Sequence, residues 1–147
     1  MASKRYRDVF TDDMFLVPQA PVLAPATMGF GVEVAGLVGN MFAQSGLDRH
    51  QIANKMTVLS GREVSKHMID AWTSESRDAY NIPFYLAPAA EAACNSHAMT
   101  TWLADHRGAR LAIGRDALNA EYGKLKALND DVKKRMALIQ KMMTGDA

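Results

Sequence analysis

The chain has a single cysteine, Cys94, in 147 residues, which excludes an intrachain disulfide and fits a reducing compartment. Charge of one sign is also missing: 17 Lys and Arg face 16 Asp and Glu, a formal net charge of +1. Divided after Ser60, five basic and five acidic residues precede the cut, and twelve and eleven follow it. Neither part is a basic block, so any nucleic-acid binding must come from a local patch, and strong non-specific binding is not expected. No apolar run approaches the roughly 20 residues of a membrane span. The longest apolar stretch, Val32 to Ala43, is broken by Glu33, Gly36, Gly39 and Asn40. The first residues, with Lys4, Arg5 and Arg7 followed by Asp8, Asp12 and Asp13, lack the apolar core of a secretory signal. The expectation is a soluble, cytoplasmic protein with no membrane partner.

No glycine-rich phosphate loop and no paired-carboxylate motif is present, so neither catalysis nor a cofactor is expected. Cys94, His97 and His106 are metal-ligating types, with Asp105 close by. A closed zinc site needs four ligands, usually from paired motifs, and the fourth is not evident, so no metal is expected. Cys94 with His97 as nucleophile and base lacks an orienting group and an oxyanion group.

Helical periodicity is what the sequence does contain, and no alternating strand pattern accompanies it. With 48% hydrophobic residues the chain can bury one core with extensions. The expected class is all-α: a helix-turn-helix bundle of about five helices over residues 28–112, an extended arm over 1–27, and a long C-terminal helix over 113–147. In the arm, Pro18, Pro21 and Pro25 remove backbone donors and favour extended geometry. Phe10, Met14, Phe15 and Leu16 suit it to lie against the protein's own body or a second subunit.

Val34, Val38, Met41 and Phe42 recur at helical spacing, which predicts a helix from about Gly31 to Ser45 that stops at Gly46. Gly36 and Gly39 weaken it by roughly 1 kcal/mol each relative to alanine and permit close contact. Asp48 and Ser65 are placed to cap two further helices, one with Ile52, Ala53 and Met56 on its inner stripe, the other with Met68, Ile69 and Trp72. Ser60 and Gly61 mark the turn between them. After a polar loop from Ser74 to Asn81, Ile82-Pro83 opens a fourth helix to about Cys94, with Leu86, Ala90 and Ala93 inward. Pro88 marks a kink in it or a later start. A fifth helix begins near Ser96 and carries Met99, Trp102 and Leu103.

The last third has a heptad seam: Leu118, Tyr122, Leu125, Asn129, Val132, Met136, Ile139 and Met143 alternate at spacings of four and three. Such a seam asks for a partner helix, and Asn129 can pair with itself across a two-stranded parallel coiled coil, fixing register. Glu121 and Lys126 flank the seam. Leu128, Leu138 and Met142 widen the stripe, as intrachain packing would require. A homodimer and an intrachain docked helix are the two readings.

Residues between the two central stripes face outward and are polar. A recognition helix reads DNA through side chains of its first turns, which reach base edges in the major groove. Ser65, Lys66, His67 and Asp70 occupy those positions, with Thr73 and Arg77 placed for backbone contact. Lys66 can donate to guanine, His67 to a purine edge, and Asp70 can accept from cytosine N4. The plain alternative is a solvated helix face. The basic start, Lys4, Arg5, Tyr6 and Arg7, suits a minor-groove arm or a solvated end.

At these residues the sequence resembles helix-turn-helix proteins of the Cro and phage-repressor class, with DRHQIANKM as first helix, VSKHMIDAW as recognition helix and NIPFYLAPAAEAACN as the helix that follows. Ala53 matches the small residue at the helix crossing, Val64 and Ser65 the usual V-S start, and Ile69 and Trp72 the buried positions. The turn, TVLSGRE, is longer than that of the class. The stretch GREVSKHMIDAWTSESRDAYNIPFYLAPAAEAAC also resembles small early-region proteins of Mu-like transposable phages and prophages. The resemblance implies double-stranded DNA as partner and a role in transcriptional control or transposition. The alternative from another class is a helical adaptor or inhibitor that binds a host or phage protein without touching DNA.

Overall fold

The computed structural model describes residues 21–145, and the basic start and apolar arm residues lie outside them. The described residues are all-helical and divide after Arg110 into two units. In the first unit, α1 spans Gly31–Gln44, α2 Arg49–Ser60, α3 Lys66–Trp72, α4 Ala87–Cys94 and α5 Ala98–His106. The second unit contains α6, Arg115–Thr144. Among the described residues no helix is long and apolar enough to cross a membrane.

The core of the first unit forms where the apolar stripes meet. Val38, Met41 and Phe42 of α1, Ile52, Ala53 and Met56 of α2, and Ile69 and Trp72 of α3 are all buried and in one cluster. Leu86, Ala90 and Ala93 close it from the side of α4. Each large side chain so buried contributes about 1.5–3 kcal/mol over an exposed one. Small residues complete the packing: Ala35, Ala71, Ala87 and Ala89 are buried too.

Local chemistry sets the helix ends. Gly46 adopts φ +72° after α1, a conformation costly for residues with a Cβ. Asp48 and Gln51 form a reciprocal capping box on α2, the Asp48 carboxylate accepting from the His50 and Gln51 amides at 2.8 and 2.9 Å. Ser65 Oγ accepts from the Met68 amide at 3.2 Å and caps α3. The fourth helix begins later than Ile82-Pro83: Phe84–Leu86 is a 3-10 turn, and α4 proper starts at Ala87. Pro88 dictates this, since its missing N–H and its ring fit only the first helical turn. Ser96 Oγ accepts from the Ala98 amide at 3.1 Å, so the fifth helix starts two residues after Ser96. Leu103 is 42% exposed on it.

Five residues, 61–65, connect α2 to α3, and two hydroxyls shape that long turn. Gly61 takes φ +66° and its amide donates to the Thr57 carbonyl at 2.9 Å. Thr57 Oγ1 donates to the Ala53 carbonyl and accepts from the Val64 amide, both at 2.9 Å. Ser60 Oγ donates to the Met56 carbonyl at 2.6 Å and accepts from the Arg62 amide at 3.2 Å. Val64 is buried, so Thr57→Val leaves its amide without an acceptor. The expected cost is about 1–3 kcal/mol, read as a lower urea midpoint, with Thr57→Ser largely restoring it. An unchanged midpoint for Thr57→Val contradicts this account of the turn.

Close approach explains Gly31 and tightens the surroundings of Gly36, whereas a Cβ on Gly39 would meet Thr73 Cβ at an ordinary 3.6 Å. A Cβ on Gly31 would stand 2.5 Å from the Asp78 carbonyl oxygen, and one on Gly36 3.2 Å from Glu75 Oε1. Asn81 Nδ2 donates to the Gly31 carbonyl at 2.9 Å. These contacts seat the loop that carries Arg77 directly on α1.

In its own unit, α6 runs for 30 residues, about 45 Å at 1.5 Å per residue. None of its residues is buried, and the seam residues Leu118, Tyr122, Leu125 and Ile139 are all more than half exposed. Arg135 pairs with Asp131 at 2.8 Å, and Glu121 faces Lys124 at 3.9 Å within the same helix.

Candidate nucleic-acid interface

Ile69 and Trp72 anchor α3 in the core, and this anchorage turns its other side outward. Lys66 and His67 are exposed there, while Ser65, Asp70 and Thr73 are half-buried. Five of the six expected contact residues fall into two groups around this short helix, and the sixth, Ser65, caps it.

The first group joins α3 to the start of α2. Asp70 Oδ1 accepts from Arg49 Nη1 and its Oδ2 from Lys66 Nζ, each at 2.6 Å. The same Arg49 nitrogen donates to Thr73 Oγ1 at 2.9 Å, and Thr73 Oγ1 donates to the Ile69 carbonyl at 3.0 Å. Both oxygens of the Asp70 carboxylate are therefore engaged by cations of the chain itself. Two cations and one anion leave this group with one positive charge. Arg49 had no signal in the sequence reading, because its partners lie 21 and 24 residues away.

Lys66 and Arg49, by direct hydrogen bonds, hold the Asp70 carboxyl below the ordinary carboxylate value of 3.8. A folded value below the unfolded one means that the pairs are intact above 3.8 and are lost as pH falls through the lowered value. An NMR titration of the Asp70 side chain should show a midpoint below 3.8 that rises in Lys66→Ala and in Arg49→Ala. A midpoint unmoved by either substitution contradicts the pairing. Ion pairs of this exposure are weakly held in water, so Lys66 can leave Asp70 for another acceptor.

The second group brings His67 and Arg77 together. Both line a surface hollow of about 480 Å3 between α3 and the loop that follows it, with Met68 and Ala71 also in its wall. Arg77 lies in a 3-10 turn, Glu75–Arg77, and the Tyr80 amide donates to its carbonyl at 2.8 Å. Tyr80, 62% exposed, adds a ring and a hydroxyl to the rim, and Asp78 adds a carboxylate. The hollow thus presents donors and an aromatic face but mixed charge.

Of the metal-ligating types, His106 is held by an aromatic cluster. His106 Nδ1 lies 2.9 Å from the Trp102 carbonyl, and its ring packs against Trp102 and Phe30 at centroid distances of 4.2 and 4.7 Å. Trp102 Nε1 donates to Glu33 Oε1 at 2.7 Å. Cys94 is half-buried, and burial pushes its thiol up. Among the described residues no three potential metal ligands come together.

Glu91, unremarked in the sequence, is the buried acid among the described residues. It accepts from the Thr100 amide and hydroxyl, both at 2.7 Å, and so ties α4 to the first turn of α5.

Fold and site together define an all-α helical protein with a polar, ion-paired helix face and a long amphipathic C-terminal helix. No protein-family model matches the chain, and neither a curated protein nor a solved structure is significantly similar to it.

Proposed function

We propose that the chain is a sequence-specific DNA-binding protein that acts as a homodimer, with α3 as its reading helix. The observation that carries this reading is the outward first turn of α3, where Lys66 and His67 stand exposed on a helix whose opposite face is sunk in the core. Lys66 and His67 read base edges, and Ser65 lies beside them at the helix start. Arg49, Thr73 and Arg77 meet the phosphate backbone. Asp70 acts chiefly by orienting Arg49 and Lys66, and accepts from cytosine N4 when Lys66 moves to a base.

The exposed seam of α6 supports the second half of the proposal. Two such helices, paired through Leu118, Tyr122, Leu125, Asn129, Val132, Met136, Ile139 and Met143, present two copies of α3 to one duplex. Half-sites then lie about one helical turn, roughly 34 Å, apart and in inverted orientation. The resemblance to Cro-class and Mu-like early-region proteins favours a phage or prophage regulator, or a transposition accessory factor, of the host cytoplasm.

Selection from a random duplex library tests the arrangement. Enriched sites should carry an inverted repeat, and enriched sites without inverted symmetry argue against it. The second reading, a helical adaptor for a host or phage protein, is favoured by the formal net charge of only +1. No DNA retention at low salt supports that reading instead.

A further inference from the structure

The outer side of α4 and the end of α2 form a surface that the DNA-binding reading does not use. Val58, Leu59 and Tyr85 are 82%, 57% and 63% exposed, although each is large and apolar. They stand around two adjoining hollows that share Leu59 and Ala92. The small side chains of Ala89 and Ala92 on α4 leave the floor open for larger side chains from outside. Exposed apolar patches of this kind mark contact sites.

Charge narrows what fits. Lys55 lines one hollow and Arg62 the other, and no carboxylate lines either. The Arg62 guanidinium lies 5.2 Å from the centre of the Tyr85 ring, which holds the cation at the edge of the apolar floor. The complementary occupant is a segment with large apolar side chains and acids but no cations. Helix α6 is a poor match, because six basic and only two acidic residues fall between Lys124 and Lys141. The stretch from Asp8 to Leu16 does match: it holds Asp8, Asp12 and Asp13, no basic residue, and Val9, Phe10, Met14, Phe15 and Leu16. It lies outside the described residues, and residues 17–20 join it to them.

We propose that Asp8–Leu16 is the natural occupant of this surface, placing Phe10, Met14 and Phe15 over Leu59 and Ala92 and its aspartates toward Lys55 and Arg62. A labelled peptide of residues 8–17 tests this by fluorescence anisotropy against the full chain carrying Phe10→Ser, Met14→Ser and Phe15→Ser, whose own copy no longer competes. Saturable binding at about 10 μM is expected, about a hundredfold weaker with the unaltered chain, where the tethered segment competes at an effective concentration on the order of 1 mM. Adding Val58→Ser and Leu59→Ser should weaken binding at least tenfold. Lys55→Glu with Arg62→Glu should weaken it at least as much and reverse its salt dependence, since salt then screens a repulsion. Since all four positions are exposed, thermal melting should be unchanged by either pair, and the charge pair still decides the matter if the apolar pair disturbs folding. The proposal is overturned by no saturable binding at about 1 mM peptide. It is equally overturned by binding that both pairs leave intact, or that Leu103→Ser, on a separate groove, removes in their place.

Discussion

Leu125→Asp combined with Val132→Asp is expected to leave the protein monomeric and to lower its affinity for a two-half-site duplex by at least about a hundredfold. These residues are 57% and 44% exposed on α6 and stand at the centre of its seam. In a two-stranded pairing each is buried against its counterpart, where a large aliphatic side chain contributes about 1.5–3 kcal/mol. An aspartate facing its copy across the seam replaces that gain with desolvation and like-charge repulsion. Linking two reading heads raises affinity by about 10²–10⁴ over one, and this is the factor the monomer forfeits. The first unit has its own core, so its melting transition should survive. Light scattering and a binding titration on the same sample check both parts. A variant that remains dimeric, or a monomer with full affinity, contradicts the role given to α6. Asn129→Leu is the finer probe: stability should rise while register and strand number lose their definition.

Lys66→Ala with His67→Ala is expected to remove sequence preference while leaving the fold intact. A well-formed base contact discriminates by about 1–3 kcal/mol, so losing two reduces affinity for the preferred site by roughly a hundredfold or more. Binding to unrelated duplex should fall far less, because Arg49 and Arg77 remain. Both side chains are exposed and neither belongs to the core cluster, so the thermal melt should not move. Competition between the preferred duplex and a scrambled one measures the ratio directly. A ratio unchanged by the double substitution sinks the assignment of α3 as the reading helix.

How far such a structure can be read from sequence depends on the distance between interacting residues. Asp48 with Gln51 and Ser65 with Met68 act across a single helical turn, so their capping roles were visible as local pattern. The stripes of Ile52, Ala53 and Met56, and of Ile69 and Trp72, were legible because periodicity alone reports which side is buried. The start of α4 stayed open between Ile82-Pro83 and Pro88, because both prolines satisfy the first-turn rule, and the helix takes the later one. Ala71, Ala87 and Ala89 lie buried where small size, not periodicity, decides the fit.

Sequence spacing could nominate residues for the candidate site but not their wiring. Lys66, His67 and Asp70 could be assigned to one exposed face, yet the Arg49 guanidinium that links Asp70 to Thr73 comes from another helix. Arg77 was placed with the backbone contacts, but its companionship with His67 depends on how the loop after α3 sits on Gly31 and Gly36. Glu91 carried no periodic or motif signal at all, and its meaning appears only when Thr100 is brought opposite it. Long-range pairs of this kind depend on tertiary packing, which residue spacing does not encode.

The most direct test of the central claim is retention of DNA by the purified full chain, followed by anisotropy at about 50 and 200 mM salt. Fragments of the DNA flanking its own gene supply the probes, with a scrambled duplex as competitor. The expected result is preferential binding to one fragment that weakens steeply as salt rises, since phosphate contacts release counterions. Absence of any retained DNA at the lower salt contradicts the claim and turns the helical face of α3 over to a protein partner.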